Sequence, residues 1–155
     1  MVELHIETLG DERFVRGFSR FLDDVKDMSP AFELIYADFQ DVEAEIFKAH
    51  GTPEKWKQLS PDYAAWKAKV RPGRPILVFD GHLKESLTGK NAHSVKKIGK
   101  LEAEFGTDLP YAHYHQYGGG RLPKRKPVQL TDPIRERWAK IVHKWAYEEL
   151  KKVTE

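Results

Sequence analysis

Four times in this chain a helix-capping residue stands directly before a proline: Ser29-Pro30, Thr52-Pro53, Ser60-Pro61 and Asp132-Pro133. Proline fixes φ at about −65° and carries no amide hydrogen, so it suits the first turn of a helix and breaks any later one. Each pair therefore forbids a helix from running through it and favours one that starts there. The spacing predicts a long helix over Pro30–His50, short ones over Pro53–Leu59 and Pro61–Lys69, and a last one over Pro133–Lys152, capped by Thr131 or Asp132.

The apolar residues follow these limits. Phe32, Ile35, Phe39, Val42 and Ile46 recur at steps of three and four, with Tyr36 and Phe47 widening the stripe. Such a face packs into a core. Gly51 follows this helix and can take the left-handed cap conformation. Upstream, Phe14, Val15, Phe18, Phe21, Leu22, Val25 and Met28 predict a helix over Asp11–Met28. Ile134, Trp138, Ile141, Val142, Trp145 and Leu150 give the last helix its apolar face, and Lys151 and Lys152 suit its C-terminal dipole end. Trp56, Trp138 and Trp145 are expected to be buried.

Elsewhere the period changes to two. Val2, Leu4 and Ile6 alternate with Glu3, His5 and Glu7, which predicts a half-buried strand over Val2–Thr8. Asn91–Lys97 and Leu101–Phe105 read as a hairpin turning at Gly99-Lys100. Leu101, Ala103 and Phe105 share one face of it. Ile76–Phe79 reads as a strand or a buried turn of helix, and the segment after it as one helical turn entering a strand near Leu87. The resulting fold class is α+β: one domain over residues 1–155, with a small, mainly antiparallel sheet packed against two long N-terminal helices and a C-terminal helix.

Composition narrows the chemistry. A hydrophobic fraction of 40% over 155 residues suffices for a real core. The net charge of +2 demands no nucleic-acid partner, so any basic effect has to be local. The absence of cysteine excludes disulfides and thiol catalysis, and suits assembly in a reducing cytoplasm. Met1–Gly10 carries Glu3 and Glu7 and no long apolar run, so no secretion signal is expected. His113 and His115, two apart, share a face only on a strand. A zinc hydrolase built on them would need further ligands at a recognised spacing, and none is visible. Gly118-Gly119-Gly120 lacks the lysine and hydroxyl residue of a phosphate loop. Ser60, Ser86 and Ser94 lack the surroundings of a nucleophile elbow. The expectation is a protein that is not an enzyme and uses no cofactor or metal.

The most informative polar stretch is Pro110–Val128. Tyr111, Tyr114 and Tyr117 accompany His113 and His115; three glycines follow, and then Arg121, Lys124, Arg125 and Lys126. Glycine has a high ordering cost, so residues 118–127 are expected to form a mobile basic loop. Its four cations are assigned to partner binding. Tyr111, His115, Gln116 and Gly118 are assigned to its packed root. Such a loop suits an acidic protein surface or a nucleic-acid backbone.

Three segments together resemble the phage virion morphogenesis family. They are Trp56-x-x-Leu59-Ser60-Pro61-x-Tyr63-x-x-x-Lys67, then Ile76-Leu77-x-x-x-Gly81-x-Leu83-x-x-Ser86-Leu87, then Tyr111-Ala112-x-x-His115-Gln116-x-Gly118 followed by Pro123-x-Arg125. Order and spacing agree across roughly Trp56 to Pro127. Asp80 stands where the family usually has threonine, and Val128 where it usually has an aromatic. The resemblance implies a structural protein of a tailed phage or prophage, working at the head–tail junction in tail completion, termination and head–tail joining. It implies a homo-oligomeric ring, often hexameric, touching connector and tail-tube proteins, in the virion neck after assembly in the bacterial cytoplasm. It implies no catalytic residues; no membrane partner is expected either, since no apolar run approaches the roughly 20 residues that a span needs. The alternative function is a nucleic-acid-binding module using Arg121–Lys126, with incidental contact to phage DNA as a weaker version.

Overall fold

A computed structural model describes residues 25–154, together with Arg16, Ser19, Arg20 and Asp23. The expected strand Val2–Thr8 lies outside the described residues, as does most of the expected helix Asp11–Met28. Arg16, Ser19, Arg20, Asp23 and Val25 are helical, and the chain turns at Lys26.

The first full element is helix α1, Ser29–Lys48. The Asp27 carboxylate accepts hydrogen bonds from the Ser29 amide and hydroxyl, which draws its pKa below the usual carboxylate range. The cap is thus supplied two residues before the predicted serine. Ala31, Ile35, Phe39, Glu43, Ile46 and Phe47 are buried along one face. Ile35, Phe39 and Ile46 belong to the predicted stripe. Each such side chain contributes about 1.5–3 kcal/mol when fully buried. Beyond the helix, His50 and Gly51 take positive φ, 53° and 96°. Gly51 thus adopts the left-handed conformation expected of it.

The predicted helix Pro53–Leu59 does not form; residues 55–60 run without regular structure. Its backbone is claimed by distant partners instead. The Lys57 and Gln58 carbonyls accept from Arg125, and the Trp56 side chain donates to the Lys126 carbonyl. Helix α2, Pro61–Val70, starts where predicted, with Ser60 as its N-cap. Ile76–Phe79 is neither strand nor helix but a turn held by Val78 N donating to Pro75 O. Helix α3, His82–Leu87, ends on a buried Leu87, so the expected strand near Leu87 is corrected to a helix end.

Strands β1, Ser94–Ile98, and β2, Ala103–Thr107, pair antiparallel, with Ser94 opposite Thr107 and Ile98 opposite Ala103. Phe105 packs on the core, whereas Leu101 lies before the strand and is exposed. Helix α4, Ala112–Tyr117, and helix α5, Asp132–Thr154, complete the fold. The α+β class is as expected, with a two-stranded antiparallel sheet among the described residues.

Helix α1 is the hub. It packs against α5, α3 and both strands, and α3 packs on both strands as well. Phe39, Ile46, Phe47, Trp56, Ile76, Val78, Leu83, Leu87 and Leu109 form the core. Trp56 and Trp145 are buried. Trp138 is only partly buried, and its indole nitrogen donates to Asp38 at 2.7 Å. Ser86 is buried between α3 and β2, bonded to Leu83 O and to the Thr107 hydroxyl, each at 2.8 Å. Its hydroxyl is therefore a structural tie.

Candidate functional site

The three sequence segments that stand apart along the chain meet around one groove of about 950 Å³. One wall comes from the extended run 57–60 and the start of α2. The second comes from the turn 77–81 and the start of α3. The third comes from α4 and the basic segment after it. A volume of this size is at the upper end of the range for ligand clefts.

Arg125 ties the groove together. It is only 6% exposed. Its Nε donates to Lys57 O at 2.5 Å and its Nη2 to Gln58 O at 2.8 Å, while its amide donates to His115 O at 2.9 Å. The first of the three segments is thereby bolted to the third. Arg125 is not one of the free loop cations expected from sequence: a planar fork suits two adjacent carbonyls better than it suits solvent.

The neighbouring residues strengthen the same joint. Gln116 exchanges two hydrogen bonds with the backbone of Val128, donating to its carbonyl at 2.8 Å and accepting from its amide at 3.1 Å. Pro127 is fully buried. Lys126 is half-buried, and its carbonyl receives the Trp56 indole hydrogen at 2.8 Å. Gln116 and the His115 carbonyl meet the base of the basic segment, and Gly118 closes α4 with φ 78°. Tyr111 packs edge-on against His115.

The glycine run is a hairpin tip. Gly119 and Leu122 exchange backbone hydrogen bonds at 3.2 and 2.9 Å, leaving Gly120 and Arg121 as a two-residue turn. Gly120 has φ 58°, which such tight turns require at one or both central positions. Arg121 and Lys124 are exposed here. Of the four loop cations, these two alone remain on the open surface; Arg125 is pinned and Lys126 half-buried.

Sequence reasoning gave Lys67 no role in the groove. Lys67 is 4% exposed and donates to Pro75 O at 2.6 Å. Burial, aided by Arg125, lowers its pKa. Burial and Arg125 also lower the pKa of His115, whose Nδ1 is buried without a hydrogen-bond partner. Lys67 carried a signal, since it closes the first segment, but nothing in its helical context marks it as buried. Among the described residues the groove has one carboxylate, Asp80, which is exposed and paired with Arg71 at 2.9 Å.

The histidine pair does not converge. His113 hydrogen-bonds Pro110 O at 2.7 Å from an exposed position, away from His115. Among the described residues no group of three or more histidines or carboxylates is placed to hold a metal ion. No helix among them is long and apolar enough to cross a membrane.

Beside the groove lies an aromatic ridge. Trp66 stacks on Phe79 with centroids 5.8 Å apart, Tyr63 leans on Trp66 at 5.5 Å, and the Arg71 guanidinium covers Phe79 at 4.8 Å. Tyr63 and Trp66 are both exposed.

Compared with known families, residues 9–142 match the model of a phage virion morphogenesis family. Comparison with curated proteins and with solved structures gives no match.

Proposed function

The chain belongs to the phage virion morphogenesis family, which makes it a virion-associated structural protein of a bacteriophage, and from that premise we propose that it works at the head–tail junction, completing the tail and joining it to the head. It acts there as a subunit of a homo-oligomeric ring, hexameric by analogy with proteins of this kind, between connector and tail-tube proteins. Its role is assembly rather than catalysis, and it sits in the neck of the finished particle.

The observation that carries this reading is the pairing of a pinned base with an exposed basic tip. Arg125, Gln116 and the Trp56 indole fix the base of the 118–127 segment to the body. The turn at 119–122 carries exposed Arg121, and exposed Lys124 follows it. A charged tip on a fixed base sets register against an acidic neighbour and steers its approach. Ring subunits need such a contact between successive rings as well as one between neighbours.

The test is complementation of a phage lacking this protein with the double variant Arg121→Glu, Lys124→Glu. Both side chains are exposed, so the thermal midpoint is expected to stay within about 1–2 °C, given surface effects of about 0.5 kcal/mol or less. Titre is expected to collapse, with unjoined heads and tails accumulating under electron microscopy. Normal titre and joined particles would refute the docking tip. Strongly salt-dependent DNA binding, lost in the variant, would favour the nucleic-acid alternative instead.

A further inference from the structure

We propose that the groove between residues 57–67, 77–83 and 111–125 is a receptor for an acidic peptide segment of another virion protein, with one side-chain carboxylate seated against Lys67 and Arg125. The proposal rests on the virion-assembly reading only for the source of the peptide.

The charge inventory of the groove is uneven. Among the described residues Lys57, Lys67, Arg121 and Arg125 line it, against Asp80 as its one acid. Asp80 is already engaged by Arg71 on the outer side. Lys67 and Arg125 are both buried, and neither has an ion-pair partner among the described residues. Among the described residues each is held only by main-chain carbonyls: Pro75 O for Lys67, and Lys57 O and Gln58 O for Arg125. Taking a charge out of water costs several kcal/mol unless an opposite charge compensates it. A joint to a single carbonyl, as at Lys67, needs no charge.

Donor capacity is also left over. An ammonium has three hydrogens and a guanidinium five. Lys67 uses one, and Arg125 makes side-chain bonds only from Nε and Nη2, which leaves its Nη1 free among the described residues. Beside them the buried His115 Nδ1 has no partner. The free donors face a groove and not bulk water, so they suit an anion that enters from outside.

The walls decide which anion. Leu77, Phe79, Tyr63, Tyr111 and Leu122 make them largely apolar and aromatic. A ligand that fits presents apolar surface on its flanks and one anionic group at depth. An extended peptide with a glutamate or aspartate between apolar residues has that form. A nucleic-acid backbone does not: its charges are regularly spaced and lie outside, and they would meet Asp80 at the wall.

The test uses the full chain, labelled with nitrogen-15, and two synthetic peptides of equal length. One alternates leucine with glutamate; the other replaces every glutamate by glutamine. The glutamate peptide is expected to bind at least tenfold more tightly, the value of one charge-assisted hydrogen bond. It is expected to shift the amide signals of residues 57–67, 77–83 and 111–125. Lys67→Met keeps the buried stem and removes the charge; it is expected to reduce the preference to within about twofold. Lys57→Glu, at an exposed position on the rim, provides a second variant that keeps the fold whatever Lys67→Met does. It is expected to weaken the glutamate peptide about fivefold, the upper value for an exposed charge pair. Equal affinity for the two peptides would overturn the proposal. So would displacement of the peptide by a 20-nucleotide single-stranded DNA, or groove shifts that follow protein concentration with no peptide present, which would assign the groove to a second copy. The binding assay needs no particle, so its failure is distinct from failure of the complementation test.

Discussion

Glu43 offers a direct experimental handle on the core. It sits in the buried face of α1 between Phe39 and Ile46, is 1% exposed, and its Oε2 has no hydrogen-bond partner. Burial raises its pKa from the ordinary 4.5 to about 9, so the folded protein carries a neutral acid there at pH 7. The unfolded chain ionises it near the ordinary value. Between these two values the folded state binds the extra proton, so stability falls as pH rises. The loss begins above pH 4.5 and levels off above about 9. Each pH unit inside the window corresponds to about 1.36 kcal/mol, so from pH 6 to pH 8 this one group removes roughly 2.5 kcal/mol. Glu43→Gln keeps the shape and cannot ionise. Urea unfolding followed by tryptophan fluorescence at pH 6, 7 and 8 measures both proteins. The stability gap between variant and parent should widen by roughly 2.5 kcal/mol over that range, in favour of glutamine. Taking the difference removes groups common to both proteins, including His115, whose lowered pKa acts with the opposite sign. Parallel stability curves would refute the reasoning and show Glu43 ionised in the fold.

Arg125→Met should cost about 3 kcal/mol in the same assay, because it leaves the Lys57 and Gln58 carbonyls without their charged donor; a loss below about 0.5 kcal/mol would show that the two segments hold together without it. Gly51→Ala should cost about 2 kcal/mol or more, since φ is 96° and an added Cβ would stand 2.8 Å from the Trp56 ring and closer still to Glu54 O; an unchanged midpoint would show that the turn relaxes freely.

Much of the secondary structure was legible because it is local. The apolar stripe of α1, the proline at the start of α2 and the hairpin residues act within a few positions of themselves, and α1, α2, β1, β2 and α5 appear close to where their patterns put them. The misses have one physical origin. Thr52-Pro53 carries the same signal as Ser60-Pro61, yet only the second opens a helix, since the carbonyls after the first are taken by Arg125 from a distant part of the chain. Leu87 fits a strand or a helix end by pattern, and packing against β1 and β2 chose the helix. Residue types alone grouped Arg121, Lys124, Arg125 and Lys126 as one basic loop, and the family resemblance came from segments that are separate in sequence. Tertiary structure divided those cations into a pinned fork, a half-buried neighbour and two exposed charges. It also brought the three segments around one groove and buried Lys67 and Glu43. Sequence carries charge and periodicity, but burial depends on what the rest of the chain places overhead, and that is decided only when the fold closes.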